Sequence, residues 1–358
     1  MKIVYDYSIF FKQKYGGISR YFVNLINNFP ENENIDPIII SPIHKNIFLK
    51  NIKQQNKKGF YFNNKIPFTG KIINSINKLI SSFYLKSLNP SIVHHTYYNH
   101  SCLRSSCINV ITVYDLYHEI FHVNKNFRPK RNAINNADHI MCISENTKKD
   151  LINLYDVQSS KITVSPLGHE HANFDFKKNI HNKPYLLYVG SREKYKNYDI
   201  FIESIARSKS LINDFNIVFF GGGKFTKEEE KKIEDLKIPL KIIKNIQGKD
   251  EDLYKLYLNA SAFIFPSKHE GFGLPILEAM KAKVPIICSD IPVFKEVAGN
   301  GAEYFDVNSH ESLSDSISRV VYSDTKKKEL ISNSAEKLEK YSWKKCASIT
   351  INSYKKLI

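Results

Sequence analysis

The chain has 358 residues, of which 42% are hydrophobic and 25% are charged, a balance that is ordinary for a globular protein and excludes a largely disordered chain. One hydrophobic core does not serve a chain of this length, so we expect two domains of about 150 to 180 residues each. The formal net charge of +16 predicts anionic partners: nucleic acid, acidic lipid headgroups or phosphorylated substrates.

Cysteine usage and hydropathy predict a cytoplasmic protein. The five cysteines form no CxxC pair, which argues against a disulfide framework and a zinc site and favours a reducing compartment. The N-terminus becomes acidic at Asp6 before a long apolar region forms, so we expect no signal peptide. No run of roughly 18 apolar residues occurs, and we therefore expect no membrane span.

The first residues predict a strand, a glycine turn and a helix. Residues 2–6 have the composition of a buried strand, and Gly16 and Gly17 precede a segment with apolar side chains at helical spacing. This turn would lie at the carboxyl edge of a parallel sheet, where open α/β folds bind ligands. Residues 35–40 predict a second strand, whereas 44–68 show no periodicity and are left unassigned.

Residues 71–88 predict a basic amphipathic helix with two possible uses. Its apolar side chains recur at helical spacing: Ile72, Ile73, Ile76, Leu79, Ile80, Phe83 and Tyr84. We favour packing of this face against the sheet, since most amphipathic helices pack that way. The alternative is contact with an anionic membrane, for which Lys71, Lys78 and Lys86 are available.

Two short apolar strands follow, at 91–95 and 108–113, and each ends in polar residues. The carboxyl ends of parallel strands meet at one edge of a sheet, so these polar side chains should gather there: His94, His95, Tyr114, Asp115, His118 and Glu119. Histidines and carboxylates can bind metal, but their spacing matches no zinc pattern, and we predict no metal site.

The rest of the chain repeats the alternation of strands and helices. Residues 138–143 predict a strand, Ser144 caps the next helix, and a strand near Val164 closes the first sheet. From Tyr185 onward, strands and helices alternate regularly, which predicts a doubly wound parallel sheet. The predicted division is an N-terminal domain, a linker, a second domain and a C-terminal helix at 1–168, 169–183, 184–340 and 341–358, respectively.

The stretch 266–283 carries the clearest chemistry in the sequence. An apolar strand leads into a Gly-Phe-Gly turn and a short helix in which Pro275 suits the first position. Backbone N–H groups near 271–274 would then point to one side and attract phosphate. Glu270 and Glu278 flank the turn; either alone has an ordinary structural explanation, as a solvated carboxylate or as a favourable charge near a helix N-terminus.

Residues 270–278 read EGFGLPILE and match the signature of family 4 glycosyltransferases, two glutamates around a Gly-Phe-Gly-Leu-Pro core. The chain resembles that family over nearly its whole length. The resemblance implies the GT-B fold: two Rossmann-like, doubly wound parallel-sheet domains that face a cleft, with a last helix that crosses back to the first domain. It also implies retaining transfer from a sugar nucleotide with no metal and no cofactor.

The resemblance also assigns roles to residues. Glu270, Arg192 and Lys196 are the expected catalytic residues, with the two cations at the donor diphosphate and Glu270 at the transferred sugar. Glu278 would accept hydrogen bonds from the nucleotide ribose. The expected donor-binding residues also include Gly17, from a loop that resembles the family's N-terminal glycine loop, and the turn residues Gly271, Phe272, Gly273 and Leu274.

On the acceptor side, the sequence departs from the family. Related enzymes carry a His-Asp pair where this chain has Tyr114 and Asp115. His118 or His95 is then the candidate for the missing histidine, and Gly16 completes the expected acceptor-side set.

The stretches FFKQKYGGISRYF and TVYDLYHE resemble bacterial enzymes of O-antigen or capsule synthesis. They suggest mannose transfer from GDP-mannose, with a UDP-hexose as the alternative donor, to a growing lipid-linked saccharide. Peripheral contact with the anionic inner face of the plasma membrane fits such an acceptor. Two other classes stay open: a sugar-nucleotide epimerase, against which the signature argues, and a nucleic-acid binder, for which no module is found.

Overall fold

A computed structural model describes residues 1–31, 33–62, 69–98, 107–121, 128–169 and 183–358. The chain divides into two compact units, one made of Met1–Gly168 with Ser342–Ile358 and the other of His169–Tyr341. Most of the predicted linker, 169–183, lies outside the described residues. Each unit is built on its own parallel sheet, as the alternation of strands and helices predicts.

The first unit contains a seven-stranded, wholly parallel sheet. Its strands in chain order are β1 (Lys2–Tyr5), β2 (Asp36–His44), β3 (Lys57–Tyr61), β4 (Ile92–His95), β5 (Ile108–Val113), β6 (His139–Cys142) and β7 (Ile162–Val164). Their spatial order is β3-β2-β1-β4-β5-β6-β7. The strands are rich in Ile and Val because helices cover both faces of such a sheet.

The helices of this unit connect successive strands, and the C-terminal helix joins them. They are α1 (Ser8–Lys12), α2 (Gly17–Asn27), α3 (Gly70–Leu88), α4 (Tyr117–Ile120), α5 (Arg128–Asn136), α6 (Glu145–Tyr155) and α15 (Trp343–Lys355). Ser144 caps α6 as predicted, since its side chain accepts a hydrogen bond from the Thr147 amide. Tyr354 of α15 reaches the core, where its hydroxyl lies 3.2 Å from that of Tyr5.

The second unit contains a six-stranded parallel sheet in the order β10-β9-β8-β11-β12-β13. The strands are β8 (Tyr185–Val189), β9 (Asn216–Phe220), β10 (Ile243–Ile246), β11 (Ala262–Phe265), β12 (Ile286–Ser289) and β13 (Ala302–Phe305). The helices are α7 (Tyr198–Ala206), α8 (Lys209–Asp214), α9 (Lys227–Asp235), α10 (Asp250–Asn259), α11 (Leu274–Lys281), α12 (Pro292–Ala298), α13 (His310–Val321) and α14 (Asp324–Leu338).

In both sheets the strand order reverses at the centre. The reversal falls between β1 and β4 in the first unit and between β8 and β11 in the second. The connections on either side of such a point leave in opposite directions, so a crevice opens beyond the carboxyl ends of the two strands, and ligands of doubly wound folds bind there. The fold prediction is confirmed. The segments that follow these four strands are therefore the places where a ligand site is expected.

Several elements differ from the expectations. The unassigned stretch 44–68 contains the edge strand β3, while its last residues, 63–68, lie outside the described residues. The short strand β13 follows α12 and was not identified from the sequence. Pro275 is the second rather than the first residue of its helix, since α11 begins at Leu274.

The largest correction concerns α3. The expectation that its apolar face packs against the sheet is wrong: Ile72, Leu79 and Phe83 are 61%, 73% and 71% exposed. The helix instead buries a narrower row of residues, Asn77, Ser81 and Leu85. The amide of Asn77 fixes this orientation, because it accepts a hydrogen bond from the Ile43 N–H at 2.8 Å and donates one to the Ile43 carbonyl at 3.0 Å.

Candidate functional site

The candidate site of the second unit forms where the chain leaves β8 and β11. The residues after β8 run from Gly190 to Asn197, and those after β11 run from Pro266 to Gly273. A backbone hydrogen bond of 2.7 Å, from the Lys268 N–H to the Tyr195 carbonyl, joins the two segments. Their side chains therefore meet at the switch point of the sheet.

Lys196 and Glu270 form an ion pair across these segments. The Lys196 Nζ lies 2.6 Å from Glu270 Oε1, and only about one-sixth of each side chain is exposed (16% and 15%). Burial alone would lower the pKa of Lys196, but the Glu270 carboxylate outweighs burial and holds that pKa above its ordinary value. The ammonium group therefore stays charged at neutral pH, directly beside the turn that begins α11.

Arg192 occupies a different environment from Lys196. Its side chain is 3% exposed; Nε donates to Glu229 Oε1 at 2.8 Å, and the terminal nitrogens donate to carbonyl oxygens of residues 221–224 at 2.8 to 3.3 Å. Gly221, Gly222 and Gly223 all have positive φ and form the turn after β9. The guanidinium thus clamps this turn, and its contact with a diphosphate stays a prediction.

A comparison of two variants separates the clamp from a diphosphate contact. We expect Arg192→Ala to cost about 1.5–3 kcal/mol of stability, because the partly buried Glu229 carboxylate loses its charged partner and keeps only the Thr226 amide. We also expect Arg192→Ala to lower turnover. Glu229→Gln should reproduce part of that loss of turnover, since it weakens the hold of Arg192 on the glycine turn but removes no cation. Glu228→Gln, at an exposed neighbour, is the control. Unfolding curves and kcat for each variant are the measurements, and full turnover in Glu229→Gln would contradict a clamping role.

In the Gly-Phe-Gly turn, backbone atoms rather than side chains are the groups available to a ligand. Gly273 has a φ of +100°, a conformation that favours glycine, and an added Cβ would lie 3.2 Å from the Phe294 ring. Phe272 is 2% exposed and packs edge-on against Tyr341, so its ring belongs to the core. Leu274 begins α11 and contributes one N–H to its first turn, whereas Pro275 has none and the Ile276 N–H donates to the Gly273 carbonyl at 2.9 Å. The positive end of the helix dipole suits an anion.

Glu278 lies on α11, one turn beyond the glycine segment. Its Oε2 accepts a hydrogen bond of 3.2 Å from the Tyr257 hydroxyl, and Tyr257 is itself fully buried. Burial and the neighbouring carboxylate raise the pKa of Tyr257 well above its ordinary range, so this hydroxyl remains a donor. Tyr257 therefore orients Glu278, although no sequence pattern points to this tyrosine.

At the switch point of the first unit, His95 is part of a buried polar cluster. Its Nδ1 lies 3.0 Å from Asp6 Oδ2, and its Nε2 lies 3.1 Å from Asn109 Oδ1. The Asn109 amide nitrogen donates to the Cys107 carbonyl, which leaves its oxygen for the ring. Both ring nitrogens of His95 thus face acceptors. Asp6 and Asn109 were not identified from the sequence, although Asp6 follows a predicted central strand.

The other acceptor-side candidates lie after β5. Tyr114 is 8% exposed and packs edge-on against Tyr21 of α2, 5.8 Å between ring centres. The Asp115 carbonyl accepts a hydrogen bond from the buried Lys130, whose Nζ also binds Glu119 at 3.0 Å. His118 lies on α4, beside the ring of Tyr117, and is partly exposed. Lys130 was missed from the sequence, where a lysine on a short helix reads as a surface residue.

Gly16 and Gly17 lie at the start of α2, as predicted. An added Cβ at Gly17 would meet nothing within 4 Å, so space for a ligand exists beside this turn. A pocket of about 520 Å³ opens near the carboxyl end of β1. Aromatic rings and two lysines line much of it: Tyr7, Phe11, Lys12, Lys71, Tyr97 and Tyr98.

Comparisons with solved structures identify the fold. The HepE structure of Anabaena in complex with UDP and glucose matches with a TM-score of 0.76, 14% identity and 99% coverage of both chains. The lipopolysaccharide outer core galactosyltransferase WaaB matches with a TM-score of 0.72, 19% identity and full coverage of both. The fold is thus GT-B, the fold that the sequence predicts.

The family follows from the sequence matches. Residues 15–172 match the model Glycosyltransferase Family 4, and residues 171–337 match Glycosyl transferases group 1. The O-antigen chain mannosyltransferase RfbU of Salmonella typhimurium is 27% identical over 318 residues, 85% of this chain and 87% of that protein. O-antigen chain mannosyltransferase B of Escherichia coli is 39% identical over 108 residues, 30% of this chain and 28% of that protein. The chain belongs to the family 4 glycosyltransferases and is a glycosyltransferase.

Proposed function

We propose that this enzyme transfers mannose from GDP-mannose to a growing lipid-linked saccharide in the synthesis of a surface polysaccharide. The observation that carries the proposal is the Lys196–Glu270 pair, 2.6 Å long, at the switch point of the second sheet with Glu278 on the adjoining helix. The relatives named above as O-antigen chain mannosyltransferases support the choice of mannose and of the polysaccharide.

In this proposal the donor diphosphate lies against Lys196 and the N-terminus of α11. Negative charge develops on the diphosphate as the bond to the sugar breaks, and a fixed ammonium group beside helix amides stabilises it without metal or cofactor. Glu270 faces the sugar, where positive charge develops at the anomeric carbon. Glu278 accepts hydrogen bonds from both ribose hydroxyls, since a carboxylate offers two acceptor oxygens.

The proposed acceptor is carried on a lipid diphosphate at the inner face of the plasma membrane, and the enzyme works in the cytoplasm with peripheral membrane contact. The net charge of +16 favours approach to an anionic leaflet. In the part of the chain that the structure describes, no helix combines the length and apolar character needed to cross a bilayer.

Thermal unfolding in the presence of nucleotides tests the donor. A ligand that binds the folded state raises the melting temperature, so GDP and GDP-mannose should stabilise the wild type more than UDP, ADP and their sugars do. Transfer to a lipid-linked saccharide, with the anomeric configuration of the product read by NMR, tests the reaction. If no nucleotide raises the melting temperature, the proposal fails.

Glu278→Ala should weaken GDP binding by about tenfold or more, because even one lost hydrogen bond to a charged group costs about 1.5–3 kcal/mol and Glu278 is proposed to make two. Calorimetric titration with GDP measures the change. Glu336→Ala removes an exposed glutamate of the same unit and should leave the affinity unchanged. A Glu278→Ala protein that binds GDP as tightly as the wild type would rule out the ribose contact.

A further inference from the structure

Helix α3 presents an unusual apolar face to solvent. The face consists of side chains spaced along one side of the helix, 61%, 37%, 73%, 37% and 71% exposed in chain order: Ile72, Ile76, Leu79, Ile80 and Phe83. Isolated exposed apolar residues are common, but a contiguous row of five marks an interaction surface.

The orientation of this helix is fixed by the fold. The two hydrogen bonds between the Asn77 amide and the backbone of Ile43 hold the opposite side of α3 against β2. Leu85 anchors the C-terminal half of the helix in a cluster with Val4, Ile38, Ile40 and Val93. Rotation of α3 to bury the apolar face would break both hydrogen bonds inside the unit and withdraw Leu85 from its cluster.

The charges around the face indicate its partner. Lys71, Lys78 and Lys86 are all exposed, and Gly70–Leu88 contains no acidic side chain. At about 100° per residue, the three lysines fall on the same side of the apolar face. A helix with an apolar face, bordering lysines and no carboxylates suits an anionic bilayer surface, where the lysines meet lipid phosphates and the apolar side chains enter the acyl boundary.

The pocket of the first unit lies at the N-terminal end of the same helix. Gly70, Lys71 and Asn74 form part of its wall, together with Lys12 and Tyr97. The Lys12 ammonium lies 4.0 Å from the centre of the Tyr97 ring. A bilayer that covers the apolar face would therefore bring its headgroups to the pocket entrance, where cations and aromatic rings suit the phosphates and sugars of a lipid-linked substrate.

We propose that the apolar face of α3 docks the enzyme on an anionic lipid bilayer. This inference rests on the proposed function for its biological purpose, because a lipid-linked acceptor requires the enzyme at the membrane. The docking itself follows from the exposed side chains and the lysines alone.

Sedimentation with vesicles tests the proposal. The full-length wild type should bind vesicles of phosphatidylethanolamine and phosphatidylglycerol and should not bind phosphatidylcholine vesicles. L79Q/F83Q should lower the partition coefficient by about tenfold or more, since two large apolar side chains no longer leave water. Lys78→Gln/Lys86→Gln should lower it and weaken its salt dependence. Leu240→Gln, at a 57% exposed leucine of the second unit, is the matched control.

The outcomes are separable. Because the substituted side chains are exposed, L79Q/F83Q should keep the wild-type melting temperature and its stabilisation by GDP. The proposal is overturned if L79Q/F83Q binds vesicles as strongly as the wild type does, or if the wild type does not bind them. A wild-type dimer that L79Q/F83Q converts to a monomer without any vesicle binding would assign the face to self-association instead. A protein that binds vesicles but no sugar nucleotide would refute the proposed donor and leave the docking surface intact.

Discussion

Replacing Lys196 by alanine is expected to lower kcat by about 100- to 1,000-fold, the usual cost of removing one preorganised group that stabilises charge in the transition state. Lys196 is the cation that the structure holds beside both Glu270 and the turn before α11. Because Glu270 outweighs burial and keeps the pKa of Lys196 above its ordinary value, the positive charge is present at neutral pH. Donor affinity should change less than kcat, since the charge on the diphosphate grows as the sugar leaves.

Steady-state kinetics with saturating donor measure this effect. Two further variants serve as a control and as a conservative replacement. Lys194→Ala removes an exposed lysine from the same segment and should leave kcat unchanged. Lys196→Arg keeps the charge but changes its shape and reach, so it should recover only part of the lost rate. If Lys196→Ala raises KM alone and leaves kcat intact, Lys196 binds the donor equally in the ground and transition states and has no catalytic role.

The site could be predicted from the sequence where its determinants are local. Glu270, the glycine turn and Glu278 lie within nine residues, and β11 and α11 are short elements with clear signals, so pattern and structure agree. The same holds for the Ser144 cap, because an N-cap depends only on the residues of one helical turn. Such features follow from backbone geometry over a few residues, which a sequence expresses directly.

The contacts of Arg192 could not be predicted in this way. Its partner Glu229 is 37 residues away, and the carbonyl oxygens of the glycine turn carry no sequence signal at all. Arg192 and Lys196 look alike as a cationic pair in the sequence, yet one clamps a turn and the other faces Glu270. Only the pairing of β8 with both β9 and β11 separates these two roles.

The orientation of α3 shows a second limit of sequence patterns. Periodicity identifies an apolar face, but it does not say whether that face turns inward. Here the decision rests on Asn77, a polar residue whose side chain satisfies the backbone at Ile43, where the pairing of β2 with β3 shifts register. A strand irregularity leaves backbone groups without ladder partners. A helix whose side chain hydrogen-bonds to those groups is held in one orientation.

The largest expected loss of stability follows from replacing Asp6 by asparagine. Asp6 and His95 are 13% and 5% exposed, and removal of one partner from a buried pair costs about 3–5 kcal/mol. The Asp6 carboxylate also accepts hydrogen bonds from Thr96 and from the Ser8 amide, so asparagine cannot satisfy every donor. Urea unfolding followed by circular dichroism measures the change, and Asp36→Asn, an exposed carboxylate at the start of β2, should shift stability by less than about 0.5 kcal/mol.

The pH dependence identifies the pair as the cause. Burial raises the pKa of Asp6 and lowers that of His95, but their mutual attraction outweighs burial, so the Asp6 pKa falls and the His95 pKa rises overall. The stability from Asp6 is complete above its unfolded pKa and is lost as pH falls through the folded value. The stability from His95 is complete below its unfolded pKa and is lost as pH rises through the folded value. Wild-type stability should therefore be greatest between about pH 4 and pH 6.5, the two unfolded values.

In Asp6→Asn this plateau should flatten, because His95 then has no carboxylate to keep it charged. Replacing both residues, as in Asp6→Asn with His95→Gln, should cost less than the sum of the two single changes, since the double variant leaves no unpaired charge buried. Additive losses would show that the two side chains contribute independently. The same variants address the acceptor-side role expected for His95: both of its ring nitrogens already face Asp6 and Asn109, so turnover should follow the folded fraction of each variant.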